Sequence, residues 1–404
     1  MAELKGIEYL KKKLNDKRPR VELRYEYYEQ KHRARDFGIS TPEDLMTLRY
    51  INGWCSKAVD TLADRLQFAG WRNDNFDLAG IFNMNNPDVL YDSAILSALI
   101  SSCCFIVVSP SGSDIPRLQV VDGANATGII DEFTGLLQEG YAVLERNDLK
   151  EVTRDAYFTV DETIYYERGE EVMRVPNPAP YPLLAPVIYK PDAKRPFGHS
   201  RISRKAMELS DMAARTLKRS EISAEYYSIP QKYVTGLAED SEPMDKWKAS
   251  ASSMLTFTKD DEGDKPTLGQ FQAGSPTPFN EQLTMLAGEF CRETGLAMSD
   301  MIINTANPTS SDAIKAEHEC MRLMARKAQK CFGSSFLNAG YLAACLRDDY
   351  PYQREQLYLT HAAWDPIFEP DASQLGALGD AILKLNQAQP GYLDKDKMHD
   401  LLGM

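Results

Sequence analysis

Apolar residues recur at two different spacings along this chain, and the change between them divides it. Leu45, Leu48, Ile51, Cys55, Val59, Leu62 and Leu66 follow one another at intervals of three and four, one face of a helix. Thr41 caps that helix, Pro42 opens it, and Glu43 and Asp44 complement its dipole. Val89 to Ile100 is apolar nearly all round and predicts a buried helix. It leads into Cys104-Phe-Ile-Val-Val108, a β-branched run that predicts a central strand. From Leu118 to Tyr189 the period shortens to that of strands, broken by Gly, Asn and Asp turns, so residues 36–195 predict an antiparallel α+β module.

Helical spacing returns at Ile202, Ala206, Leu209, Ala213 and Leu217, a narrow stripe on a helix that ends at Pro230. Residues 230–275 are short polar strands and turns, with Met254 to Thr258 the best strand. Phe279, Leu283, Leu286, Ala287 and Phe290 predict a second helix that begins after Pro276 and Pro278 and stops at Gly295. After the polar loop AMSDMIINTANPTS, Ser310 or Ser311 caps a third, through Ile314, Cys320, Met324, Ala328 and Phe332. Arg354 to Trp364 reads as a strand, and two short helices, Ala372–Asn386 and Asp394–Leu402, follow. Residues 1–35, charged and tyrosine-rich, read as a helical arm packed on a neighbour or an outer rim.

Composition narrows the function. The 404 residues suffice for two or three cores, and the formal net charge is −13. Such a surface does not hold nucleic acid by attraction as a whole, although an acidic wall with a few placed cations lets a duplex slide. One local exception is the segment from Arg201 to Arg219, where Arg201, Arg204, Lys205, Arg215, Lys218 and Arg219 face only Glu208 and Asp211. The seven cysteines are odd in number and lack a C-x-x-C, which predicts buried free thiols in a reducing compartment. The first twenty residues lack the apolar core of a signal peptide, and Ser97, Ser101 and Ser102 interrupt the longest apolar run. The expectation is a chain soluble in the cytoplasm at synthesis, with no membrane partner.

Catalytic and cofactor patterns are missing. There is no G-x-x-x-x-G-K-[ST] and no G-x-S-x-G. The five histidines do not pair at metal-ligand spacing, and the DDEGD run at 260–264 lacks the spacing of a calcium loop. Trp54, Trp71, Trp247 and Trp364 read as packing residues of separate modules. The expectation is no enzyme, no cofactor and no metal.

The order of motifs carries a family resemblance. WCSKAVDTLADRLQFAGWR (54–72), the helix-to-strand pair at 89–108, and Phe197-Gly-His-Ser-Arg-Ile202 opening a helix that ends Ile229-Pro-Gln231 come in turn. Asn307-Pro-Thr-Ser310 then precedes Asp312-Ala-Ile314 and a helix bearing Glu317 and Glu319. Together they resemble the portal (head–tail connector) proteins of tailed double-stranded-DNA bacteriophages.

The resemblance implies an α+β portal fold. It has an α/β wing, a two-helix stem, a small β-rich clip, a long wing helix and a short helical crown. Residues 1–35 form the arm, 36–200 the first part of the wing, 201–229 and 277–300 the stem helices, and 230–276 the clip. The tunnel loop is 301–311, the long wing helix with its strand 312–368, and the crown 369–404.

It further implies a homo-oligomeric ring of about twelve subunits at the capsid vertex of the virion, assembled in the host cytoplasm. Double-stranded DNA passes through without sequence specificity. Asn304, Thr305, Asn307, Thr309, Ser310 and Ser311 would touch that DNA without fixed positive charge. The six stem cations would face DNA or acidic coat protein. Glu239, Asp240, Glu242, Asp260, Asp261, Glu262 and Asp264 in the clip would dock the terminase large subunit and the head-completion adaptor. Major capsid and scaffolding proteins complete the implied partners. A minor capsid or tail-adaptor subunit is the alternative, and a nuclease or phosphotransfer enzyme is disfavoured by the missing catalytic clusters.

Overall fold

The computed structural model describes residues 4–36, 50–112, 114–131, 133–228, 232–235, 267–270, 275–301, 316–368 and 372–389. The chain divides into two compact units. One comprises Met1–His32, Gly53–Met207 and Thr294–Met404, the other Arg33–Asn52 and Glu208–Glu293. The predicted α+β character holds, with helices and antiparallel strands mixed throughout the first unit.

Its centre is a three-stranded antiparallel sheet with β2 (Cys103–Ser109) between β3 (Arg117–Val121) and β9 (Leu184–Ile188). β2 is the predicted central strand, and Cys103 to Val108 are all buried because strands flank both edges and helices cover its faces. Helix α4 (Pro87–Ser101) runs directly into it. Leu90, Tyr91, Ala94, Ile95, Ala98 and Leu99 of α4 are buried, but Val89 is exposed, so the expected all-round burial is corrected to a buried face. The second sheet is a five-stranded meander, β4 (Ala126–Ile130), β5 (Leu137–Arg146), β6 (Val152–Phe158), β7 (Glu162–Glu167) and β8 (Glu170–Pro176).

Helix α1 (Ile7–Tyr28) lies on this meander. Leu10 and Leu14 are buried against Tyr141, Val143, Tyr157 and Ile164. The arm expected to pack on a neighbour or an outer rim therefore packs on its own subunit, because its sparse apolar residues meet the aromatic face of β5–β7. The helix expected from Pro42 through Leu66 is also corrected. Ile51 to Gly53 are not helical, α2 spans Trp54–Ala63, and residues 37–49 lie outside the described residues.

A third pairing joins the ends of the unit. β1 (Phe68–Arg72) pairs antiparallel with β12 (His361–Trp364), bringing Trp71 and Trp364 into one cluster. The Phe68 ring lies 5.2 Å from each tryptophan ring and 5.7 Å from Phe336. These two tryptophans thus share a core rather than separate modules. Only 361–364 of the predicted strand 354–364 is extended, and Arg354–Leu357 form a 3-10 turn. The long helix α7 (Glu319–Asp348) runs well past Phe332. Its Gly340 lets α3 (Leu78–Asn83) approach, since a Cβ there would meet Leu78 at 3.1 Å and Phe82 at 3.2 Å.

In the second unit, helix α5 (Arg204–Ser228) reaches about 37 Å at 1.5 Å per residue. In chain order it is followed by a two-stranded antiparallel pair, β10 (Lys232–Thr235) with β11 (Thr267–Gln270), and then by α6 (Thr277–Thr294). Gly295 follows α6 with φ +67°, the left-handed stop expected there. The strand expected at Met254–Thr258 lies outside the described residues, as does the short helix 394–402, whereas α8 (Ala372–Ala388) is present. Among the described residues no helix is long and apolar enough to cross a membrane.

Candidate functional site

The structure describes one of the three groups of residues that the sequence singled out. Asn304, Thr305, Asn307, Thr309, Ser310 and Ser311 lie outside the described residues, and so do Glu239, Asp240, Glu242, Asp260, Asp261, Glu262 and Asp264. The six stem cations are described, and they are not equivalent. Arg201 precedes α5 and is buried. Its Nε donates to the Ala58 carbonyl at 3.1 Å and its Nη1 lies 3.4 Å from Met324 Sδ. Burial lowers its pKa.

Lys218 is buried too and forms an ion pair with Asp36, and Arg215 donates to the Arg35 carbonyl at 3.3 Å. Arg204 and Lys205 are exposed on the first turn of α5, and Arg219 is half-buried. Of the six, Arg201 and Lys218 thus make interior contacts within the chain.

Among the described residues of the first unit two carboxylates, Glu139 and Asp155, are buried. Glu139 accepts the backbone N–H groups of Lys5 (2.9 Å) and Gly6 (3.1 Å) and the Tyr157 hydroxyl (2.9 Å). Asp155 accepts the Tyr141 hydroxyl at 2.8 Å and lies 3.8 Å from Lys11 Nζ. Burial, then the hydrogen bond to a carboxylate, drives the pKa of both tyrosines upward. The pair is a clasp: each acid ties the start of α1 to the meander, and its oxygens are occupied by donors of the fold.

The unassigned feature of this unit is a groove of about 890 Å³ between α1 and the loop that leads into α5. Lys13, Lys17, Arg20 and Arg24 recur along α1 at spacings of four, three and four, which sets them on one helix face beside the buried Leu10–Leu14–Val21 face. Lys12 stands next to them, and Arg195 and Arg204 line the groove from the other segment. Asp16 is the one acid that lines it.

Phe197 forms part of the floor, 5.1 Å below Lys13 Nζ and 5.9 Å below Lys17 Nζ. Gly198, with φ +73°, permits the turn there, because a Cβ would fall on the Tyr189 carbonyl oxygen. Lys13 donates to the Gly128 carbonyl at 2.7 Å, Lys17 to that of Ala126 at 3.4 Å, and Arg24 to that of Ile202 at 3.4 Å. Among the described residues none of the seven cations makes an ion pair. Burial lowers the pKa of Lys13 and Arg24, and neighbouring cations lower it further: Lys17 and Lys5 for the first, Arg20, Arg204 and Arg195 for the second. The sequence held the signal, a basic repeat of four, three and four, but it lay within an arm read from its charge and tyrosine content as packing on a neighbour or an outer rim.

At the rim, His199 Nε2 lies 2.6 Å from Asp192 Oδ2, and this bond, with the Arg195 amide, holds the Asp192 carboxyl below the usual range. His318 lies 3.5 Å from Asp300. Among the described residues no three His, Cys, Asp or Glu side chains gather as a metal site. Of the cysteines, Cys55, Cys103, Cys104, Cys291 and Cys345 are buried, as expected, but Cys320 is exposed and Cys331 half-buried.

No protein-family model matches the chain. Two curated relatives do. The portal protein of Mycobacterium phage D29 is 23% identical over 400 residues, 93% of this chain and 81% of the relative. That of Mycobacterium phage L5 is 22% identical over 394 residues, 92% of this chain and 79% of the relative. Among solved structures, the neck of a native gene transfer agent particle computed with C12 symmetry is 13% identical, with a TM-score of 0.48 over 94% of this chain and 98% of that one. A chain of the native gene transfer agent virion is 13% identical, with a TM-score of 0.47 over 95% and 99%. Along more than nine-tenths of its length the chain is thus similar to curated phage proteins named portal protein.

Proposed function

We propose that the protein is the subunit of a portal: a structural, non-enzymatic component of the virion that joins head to tail. The observation that carries this reading is the alignment with two curated portal proteins over 93% and 92% of the chain. The succession of α5, the β10–β11 pair and α6 supports it, being the order expected of a stem helix, a clip and a second stem helix.

In this reading about twelve copies close into a ring. Their polar loops at 301–311 surround the passing duplex, and hydroxyls and amides there make phosphate contacts that form and break quickly. The acids of 236–266 present one charge sign to the packaging terminase and later to the head-completion adaptor. Capsid and scaffolding proteins hold the ring at its vertex. Nucleotide hydrolysis is left to the motor.

Electron micrographs of the purified chain test the assignment: class averages are expected to show closed rings with an axial opening. Compact particles without an opening would overturn it in favour of a minor capsid or adaptor subunit. Shortening the loop 304–310 is expected to leave the rings intact and to impair DNA packaging or retention; loss of the rings would contradict the role given to that loop.

A further inference from the structure

The groove between α1 and the Phe197–Arg204 loop is not explained by a channel or by subunit docking. Seven cations line it with a single acid, in a chain whose formal net charge is −13. Packing like charges together without counter-charges costs free energy, and here each raises the cost of its neighbours. Glu139 offsets Lys13 in part, but among the described residues none of the seven has a carboxylate within ion-pair distance, although Lys218 and Lys11 do. Such a field concentrates an anion from outside.

We propose that this groove clamps the phosphate backbone of double-stranded DNA, without reading its sequence. The basic face from Lys13 to Arg24 extends eleven residues, roughly 16 Å, which matches about five phosphates of one strand along the duplex axis. The first turn of α5 opens on the groove through Ser203 and Arg204, so the positive end of a 25-residue helix adds to the cations.

Readers of single strands stack bases on exposed aromatic rings. Here Phe197 is half-buried beneath two lysines, and Tyr9 alone remains as an exposed ring. The contacts available are therefore to phosphates. An acidic peptide is the competing occupant, but peptide docking draws its affinity from buried apolar anchors. At this groove Leu23 and Pro196 are the exposed aliphatic side chains.

The test uses the full chain and a fluorescent duplex of about thirty base pairs of random sequence, with binding followed by anisotropy across a salt series. The variant Lys12→Glu/Arg20→Glu/Arg204→Glu reverses three exposed groove cations. Its control, Lys57→Glu/Lys327→Glu/Lys330→Glu, makes the same charge change at exposed positions elsewhere.

Duplex affinity in about 50 mM salt is expected to fall more than tenfold in the groove variant and less than threefold in the control, and the slope of log K against log salt to become shallower by about 2.7. Equal losses in the two variants would overturn the proposal. So would poly-glutamate displacing the duplex at equal charge concentration, which would identify an acidic peptide as the ligand. So would saturation by millimolar inorganic phosphate, which would identify an isolated anion site. Light scattering on both variants reads assembly separately, so failure of the clamp and failure of the ring are distinguishable.

Discussion

Two helices of this chain carry clustered cations, and the structure uses them in opposite ways. In and just before α5, Arg201 and Lys218 are drawn inside, one onto backbone and methionine sulfur, the other onto Asp36. In α1, the cations at 13, 17, 20 and 24 keep to one face, where Lys13, Lys17 and Arg24 meet carbonyl oxygens, the Cys103 sulfur and ring faces and, among the described residues, no ion-pair partner, while the neighbouring face is buried. Clustering in sequence therefore does not measure a field. What measures it is whether the fold supplies counter-charges, and that is settled by distant segments.

The comparison breaks first if α1 comes off its sheet. Leu14→Ala removes a side chain buried against the aromatic face of the meander and should lower stability by about 2–5 kcal/mol, read as an earlier denaturant midpoint. Duplex binding should fall with it, because the groove loses a wall. Glu139→Gln comes next. Replacing the carboxylate weakens its two backbone contacts and the Tyr157 bond, which should cost about 1.5–3 kcal/mol and give faster amide exchange at Lys5 and Gly6.

Lys218→Ala sharpens the contrast from the other side. Asp36 is partly exposed and keeps some hydration, so about 1–2 kcal/mol is expected, with duplex affinity at the groove unchanged. A large loss of binding there would mean that α5, not α1, holds the nucleic acid.

The smallest effect concerns thiols. Burial pushes Cys345 up to about 11 and Cys104 well above the ordinary thiol range, so neither forms thiolate at pH 8. In native protein a maleimide should modify exposed Cys320 first, as peptide mapping would show, while Cys104 and Cys345 react only after unfolding.

Much of the fold was legible. The β-branched run at 104–108 marked the central strand because a strand flanked on both edges and covered on both faces must be apolar throughout. The turn residues between 118 and 189 marked the meander, and Gly295 marked the end of α6. Pairings across long separations were not legible. β1 and β12 are about 290 positions apart, and neither has a period long enough to announce its partner. The break at Ile51–Gly53 was hidden because apolar spacing of three and four continues across it while the backbone does not.

The groove was hidden for a related reason. Half of it is the repeat Lys13–Lys17–Arg20–Arg24, visible in sequence, but its other wall lies 171 to 191 positions away at Arg195 and Arg204. The buried acids Glu139 and Asp155 sit among strand residues with nothing local to mark them as interior.

The central claim is that this chain closes into a ring about an axial hole, and the mass of the purified particle in solution tests it most directly. Light scattering coupled to size exclusion should give a multiple of 45.5 kDa on the order of half a megadalton, as about twelve copies require. A single species of 45.5 kDa that stays monomeric at every protein concentration would contradict it.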